Sequence, residues 1–160
     1  MTADTASDLV AAAMRVLGGT RYGVLATASA DGTPWASPVY LAHGDWSDRP
    51  PDLWWVSSPD SRHSRLIADN PAVAVTVFDS SVAIGNATAV YAEALAQECD
   101  RNLAAGNIGL FSECCVRDGG GKWNLSQVTD GARHRLYRAS ITTLYVLALE
   151  GPDRTIQVWP

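Results

Sequence analysis

The sequence predicts a small antiparallel β-barrel with a few short helices, mainly β in class. Three observations predict it: about seven short strand-like segments, links from strand to strand through turn residues, and no alternating rhythm of strand and helix. With 160 residues, 47% apolar and 18% charged, the chain is long enough to bury roughly 70% of the surface its unfolded form exposes. That composition excludes a disordered tail, a collagen-like repeat and a charge-laced coiled coil. The whole chain, 1–160, reads as one domain without repeat or linker, with a short N-terminal helix at 7–17 and the barrel over 21–160.

Leu9, Val10, Ala13, Met14 and Leu17 form one helical stripe, with Ser7 as its expected cap and Gly18-Gly19 as its stop. Tyr22 to Ser29 reads as a strand. Asp31-Gly32 is a strong hairpin signal, so the chain returns antiparallel from Pro34 to His43. Gly44 to Pro51 is a polar loop, and Leu53 to Ser57, with Trp54 and Trp55, is the next strand. Ser58, Pro59 and Asp60 read as a helix cap followed by a first-turn proline and acid; Asn70-Pro71 ends that helix, because the residue before proline avoids helical backbone. Strands are expected again over Ala72 to Phe78 and Ala87 to Ala96. Between Glu98 and Ser126, Gly106, Gly109 and Gly119-Gly120-Gly121 interrupt every helical window, which predicts one or two short helices and a mobile loop. Arg133 to Leu149 and Thr155 to Trp159 complete the strands around a Gly151-Pro152 turn.

Twelve basic against seventeen acidic side chains give a net charge of −5, which argues against nucleic acid and an anionic membrane surface as partners. Cys99, Cys114 and Cys115 are odd in number and offer no metal spacing, so reduced thiols in a cytoplasmic protein are expected. No stretch approaches the ~18 apolar residues of a membrane span. His43, His63 and His134 lie on separate elements with no i,i+4 carboxylate, so no zinc site is expected. Gly119-Gly120-Gly121-Lys122 lacks the spacing of a nucleotide loop, and no nucleophile elbow is present.

The chemistry concentrates where the central helix begins. Arg62, His63 and Arg65 crowd into its first two turns, beside a dipole end that disfavours cations by ~0.3–1 kcal/mol each. An anion resolves that conflict. Backbone N–H groups, the hydroxyls of Ser57, Ser58 and Ser61 and the guanidinium fork of Arg62 suit a phosphate monoester. The competing reading neutralises these cations locally, through Asp60 and an Arg65 to Asp69 pair.

The string Tyr22-Gly-Val-Leu-Ala-Thr, the turn Asp31-Gly32-Thr-Pro34, then Ser61-Arg62-His63 and Asn70-Pro71-Ala-Val-Ala-Val resemble the pyridoxamine 5′-phosphate oxidase-like, FMN-binding split-barrel superfamily. The resemblance runs from Tyr22 to about Glu93, with a weaker echo after Arg133. It implies a homodimer of antiparallel split barrels with a flavin in each cleft between subunits. It also implies that Ser57, Ser61, Arg62 and His63 hold the FMN phosphate, with His63 where many relatives have lysine. Ser37, Pro38 and Val39 would line the flavin ring, and Asn86 would supply an amide to it. In place of the arginine and lysine that true pyridoxamine phosphate oxidases carry on the second strand, this chain has Ser37 and Ala42. Their C-terminal substrate motif is absent as well. The implied function is therefore an FMN-dependent oxidoreductase acting on a small organic acceptor other than the vitamin. Two alternatives stand beside it: a reductase using a deazaflavin coenzyme, whose polyanionic tail would call on Arg133 and Arg135, and a non-catalytic flavin or haem carrier. Trp35 is the tryptophan best placed to stack on a planar cofactor, whereas tryptophans of small barrels usually fill a core or an interface.

Overall fold

The computed structural model describes residues 5–148 and 154–160. Its antiparallel sheet has eight strands: β1 (Tyr22–Ala28), β2 (Pro34–Tyr40), β3 (Ala42–His43), β4 (Leu53–Ser57), β5 (Ala72–Phe78), β6 (Ala89–Glu98), β7 (Arg135–Leu147) and β8 (Thr155–Trp159). Three α-helices accompany them: α1 (Ala6–Gly19), α2 (Arg62–Asp69) and α3 (Arg101–Arg117). The strand order is β2-β1-β5-β6-β7-β4-β3, with β8 paired to the far half of the long β7. Because β3 follows β2 directly and pairs with β4, the sheet curls until its two ends meet there. Between β2 and the end of β4 no ladder forms. This is an antiparallel split barrel.

Alternation along the strands divides two cores. Leu25, Val39, Trp55, Val75, Val90, Tyr137 and Leu144 fill the barrel interior, where α1 adds Leu9, Ala13 and Leu17. On the outer face, Trp54, Ala42 and Leu136 pack against Ala104, Ile108, Phe111 and Cys115 of α3. The adjacent Trp54 and Trp55 thus serve opposite faces, and Trp55 stacks on Tyr137 at 5.6 Å between centroids.

Several local expectations change. The first helix starts earlier, because Thr5 rather than Ser7 caps it in a reciprocal box with Asp8. It also runs through Gly18-Gly19, with Thr20 as its C-cap in extended backbone. The Asp31-Gly32 turn forms, with Gly32 at φ +85 and its N–H donating to the Ser29 carbonyl. Ser58-Pro59-Asp60 is a turn ahead of α2, and Ser61 is the cap: its hydroxyl accepts from the Ser64 N–H. The largest difference is α3, a single 17-residue helix in place of short pieces and a mobile loop. Gly106 and Gly109 sit on its exposed side, where a Cβ would meet nothing within 4 Å, so they interrupt no packing. Asp100 caps its start, accepting from the Leu103 N–H at 2.8 Å. The glycine run ends it: Gly119 takes φ +90, and Gly120 donates to the Cys115 carbonyl. The expected Gly151-Pro152 turn lies outside the described residues. All three cysteines are free and buried, and among the described residues no helix is long and apolar enough to cross a membrane.

Candidate functional site

Four of the expected residues meet at the split. Ser57 ends β4, and the turn after it brings the start of α2 back beside it, so His63 Nε2 lies 2.9 Å from Ser57 Oγ and 3.1 Å from Ser61 Oγ. Ser61 also donates to Ser64 Oγ at 2.8 Å. Burial holds the His63 imidazole below its ordinary pKa, so it is neutral at pH 7 and serves as a hydrogen-bonding ring. With Ser61 as cap, Arg62 and His63 occupy the first two helical positions. Among the described residues their backbone N–H groups have no hydrogen-bond partner, and no acid stands in the first turn.

Local neutralisation does not occur in the expected form. Arg65 turns back to the Asp60 carbonyl rather than pairing with Asp69. Arg62 is exposed and lies over the Trp35 ring, its guanidinium carbon 4.3 Å from the centroid. That contact spans the split from α2 to β2. Two free N–H groups, two hydroxyls, an imidazole and a tethered guanidinium form a donor set that suits a phosphate ester.

On β2 the expected residues separate by face. Ser37 and Val39 point inward and are buried, while Pro38 is exposed on the outer side. Only one edge of β2 is paired, to β1. The Leu41 N–H donates to the Arg21 carbonyl, so in the antiparallel alternation the N–H groups of Ala36 and Tyr40 face the free edge. Asn86 is exposed in the loop joining β5 and β6. That loop follows Phe78, whereas α2 leads into Ala72, so within one chain β5 separates Asn86 from the α2 cluster. Arg135 is committed elsewhere: it pairs with Glu98 at 3.3 Å and donates to three carbonyls, those of Thr129, Ala132 and His134. Arg138 sits near Asp52 and Gln97. The basic run after Arg133 is thus largely structural.

Sequence reasoning missed a second feature. A cavity of about 390 Å³ opens between the end of β2 and α3, lined by Tyr22, Tyr40, Val56, Phe111 and Trp123 together with Arg21, Cys115, Asp118 and Gly119 to Gly121. Its signal was present as Ala104, Ile108, Phe111 and Cys115, an apolar stripe at helical spacing that the two exposed glycines concealed. Val56 and Ser57 are neighbours on β4, so cavity and α2 cluster lie on opposite faces of one strand end.

The family model described as Pyridoxamine 5'-phosphate oxidase matches residues 9–107 of this chain. The chain belongs to the pyridoxamine 5′-phosphate oxidase family. Solved structures of the same fold include a heme binding protein from Mycobacterium smegmatis, with a TM-score of 0.69 at 16% identity over 99% of this chain and 60% of that one. The chain therefore spans only about three fifths of that protein. The heme storage protein HutZ from Vibrio cholerae superposes with a TM-score of 0.62 at 20% identity, covering 92% of this chain and 94% of that one. An F420 reductase does so with a TM-score of 0.55 at 21% identity, covering 78% and 89%. At these identities the likeness establishes the shared split barrel. A search of curated proteins by sequence finds no match. Among the described residues of this family member, no group of three or more His, Cys, Asp or Glu side chains could hold a metal ion.

Proposed function

We propose that this chain is an FMN-binding oxidoreductase that works as a homodimer on a small organic acceptor. The observation that carries the reading is the start of α2, where unpartnered N–H groups and the Trp35-tethered Arg62 converge beside Ser57, Ser61 and His63. These residues would hold the flavin phosphate: the helix end and guanidinium supply charge, and the hydroxyls and imidazole supply directed hydrogen bonds. Ala36 and Tyr40 offer free-edge N–H donors toward the ring, Pro38 an exposed apolar surface beside it, and Ser37 and Val39 the buried packing that fixes the strand. Asn86 would reach a flavin only across the dimer, from the other subunit. Bound FMN supplies the hydride chemistry that no side chain here provides. Oxidation of the vitamin B6 phosphate is not part of this proposal, since Ser37 and Ala42 stand where that reaction's relatives carry cations.

A deazaflavin with a polyanionic tail is less well served, because Arg135 is tied to Glu98 and to three carbonyls. Titration of the apoprotein with FMN, coenzyme F420 and haem separates the readings, with FMN expected to bind most tightly. Replacing Arg62 by alanine removes a charge-assisted contact worth about 1.5–3 kcal/mol, so FMN affinity should fall roughly ten- to a hundredfold with the circular dichroism unchanged. An unaltered dissociation constant rejects the assignment.

A further inference from the structure

The cluster at the start of α2 does not end there. From Ser61 a row of hydroxyls runs behind the helix to a carboxylate at the end of β6. The Ser61 hydroxyl donates to Ser64 Oγ at 2.8 Å. Ser64 is 4% exposed and, among the described residues, its hydroxyl donates to no backbone carbonyl. Ser64 and Tyr137 line one cavity of about 270 Å³ between α2 and the end of β6. Burial pushes the Tyr137 phenol up to about 12, and the Ser64 hydroxyl opposes that rise as a donor to the phenol oxygen does. Tyr137 stands opposite Glu98 in the β6 to β7 register and donates to Glu98 Oε2 at 3.1 Å. Arg135 Nε lies 3.3 Å from Glu98 Oε1, so the carboxylate is held as an ion that can only accept.

That acceptor sets the direction of every link, because each hydroxyl has one proton to give. Tyr137 gives its proton to Glu98, Ser64 to Tyr137 and Ser61 to Ser64, so Ser61 Oγ has only lone pairs left for its other neighbours. One neighbour is the Ser64 N–H. The other is His63 Nε2 at 3.1 Å; two facing lone pairs would repel at that distance, so Nε2 carries the ring proton. The same N–H reaches Ser57 Oγ at 2.9 Å, which leaves the Ser57 hydroxyl proton free for an outside acceptor. In the opposite tautomer Nε2 would accept, and Ser57 would spend its proton on the ring. We infer that Tyr137 and Glu98 are positioning residues for the cluster: they fix His63 as the Nε2–H tautomer and so keep the Ser57 hydroxyl proton for a bound anion. That the anion is the flavin phosphate rests on the FMN reading above; the direction of the chain does not.

NMR of the ligand-free full chain carrying ¹⁵N-labelled histidine, at neutral pH, reads the tautomer directly, and His63→Gln identifies the signal. His63 should be the Nε2–H form. Tyr137→Phe keeps the ring that stacks on Trp55 and removes only the hydroxyl, whereas Glu98→Gln puts an amide there that can offer Tyr137 either a carbonyl or an N–H. In both variants the Nδ1–H form should appear beside the Nε2–H form. FMN affinity should fall roughly three- to tenfold in Tyr137→Phe, the weight of one neutral hydrogen bond, while riboflavin, which lacks the phosphate, binds as before. An Nδ1–H ring in the unaltered protein, a tautomer indifferent to both variants, unchanged FMN affinity in Tyr137→Phe, or equal loss of FMN and riboflavin binding overturns the proposal. Glu98 is exposed, so Glu98→Gln decides the tautomer even if Tyr137→Phe folds poorly. An unaltered protein that shows the expected tautomer and binds no FMN would fault the cofactor reading and leave the chain from Glu98 to His63 standing.

Discussion

At the scale of the residue, His63 shows how burial sets chemistry. Its ring is held between two serine hydroxyls, and loss of solvent lowers its pKa from the ordinary 6.5. Below that ordinary value the unfolded chain binds the proton more readily than the folded one does, so stability present above about pH 6.5 is lost as pH falls toward the folded pKa. Denaturation midpoints of the ligand-free protein should therefore drop between pH 7.5 and 5.5, and His63→Gln should flatten that drop; an equal slope in the variant would exclude His63 as its source. The residues of this cluster were legible in the sequence, because cations at a helix start are conspicuous. Their partners were not. That Arg62 would settle on Trp35 depends on how closely β2 and α2 approach across the split, which no local pattern encodes. Similarly, the strand containing Ser37, Pro38 and Val39 was legible, but which backbone groups face its free edge follows from register with β1.

At the scale of the element, α3 is the lesson. Propensity counts each glycine against a helix by about 1 kcal/mol, and on that ground the segment reads as broken. The helix forms because Ala104, Ile108, Phe111, Cys114 and Cys115 bury one face against β3, β4 and β7, an apolar gain that exceeds the penalty of two exposed glycines. Its start depends on Asp100. Asp100→Ala should cost about 1 kcal/mol, read as a lower denaturant midpoint with the slope retained. No change would mean that packing alone positions this helix. The two-residue difference at α1 and the shift of the α2 cap from Ser58 to Ser61 have a simpler origin: each segment holds several hydroxyl residues, and only the chain's entry angle selects among them.

For the whole molecule, the split leaves β2 with an open edge, on which Trp35 is exposed, and Tyr22, Phe78, Val82 and Ile84 are exposed elsewhere on the surface. On the proposed reading a second copy covers part of it. Sedimentation should give twice 17.0 kDa with FMN retained, and dilution to the monomer should release the flavin. A flavin-saturated monomer would refute the shared cleft. The barrel itself was legible from strand count and turns, whereas the split was legible only through the family resemblance, since it arises from the two-residue β3 reaching across to β4.

Strand β4 carries one further consequence. Trp54 and Trp55 anchor the two apolar reservoirs of the molecule from either side of a single peptide bond, 4% and 1% exposed respectively. Neither reservoir can be flooded without tilting the ribbon that walls off the other, so the barrel and its α3 flank behave as one thermal unit. A calorimetric scan should show a single endotherm with indole emission shifting in step, rather than the staggered melting expected of loosely joined halves.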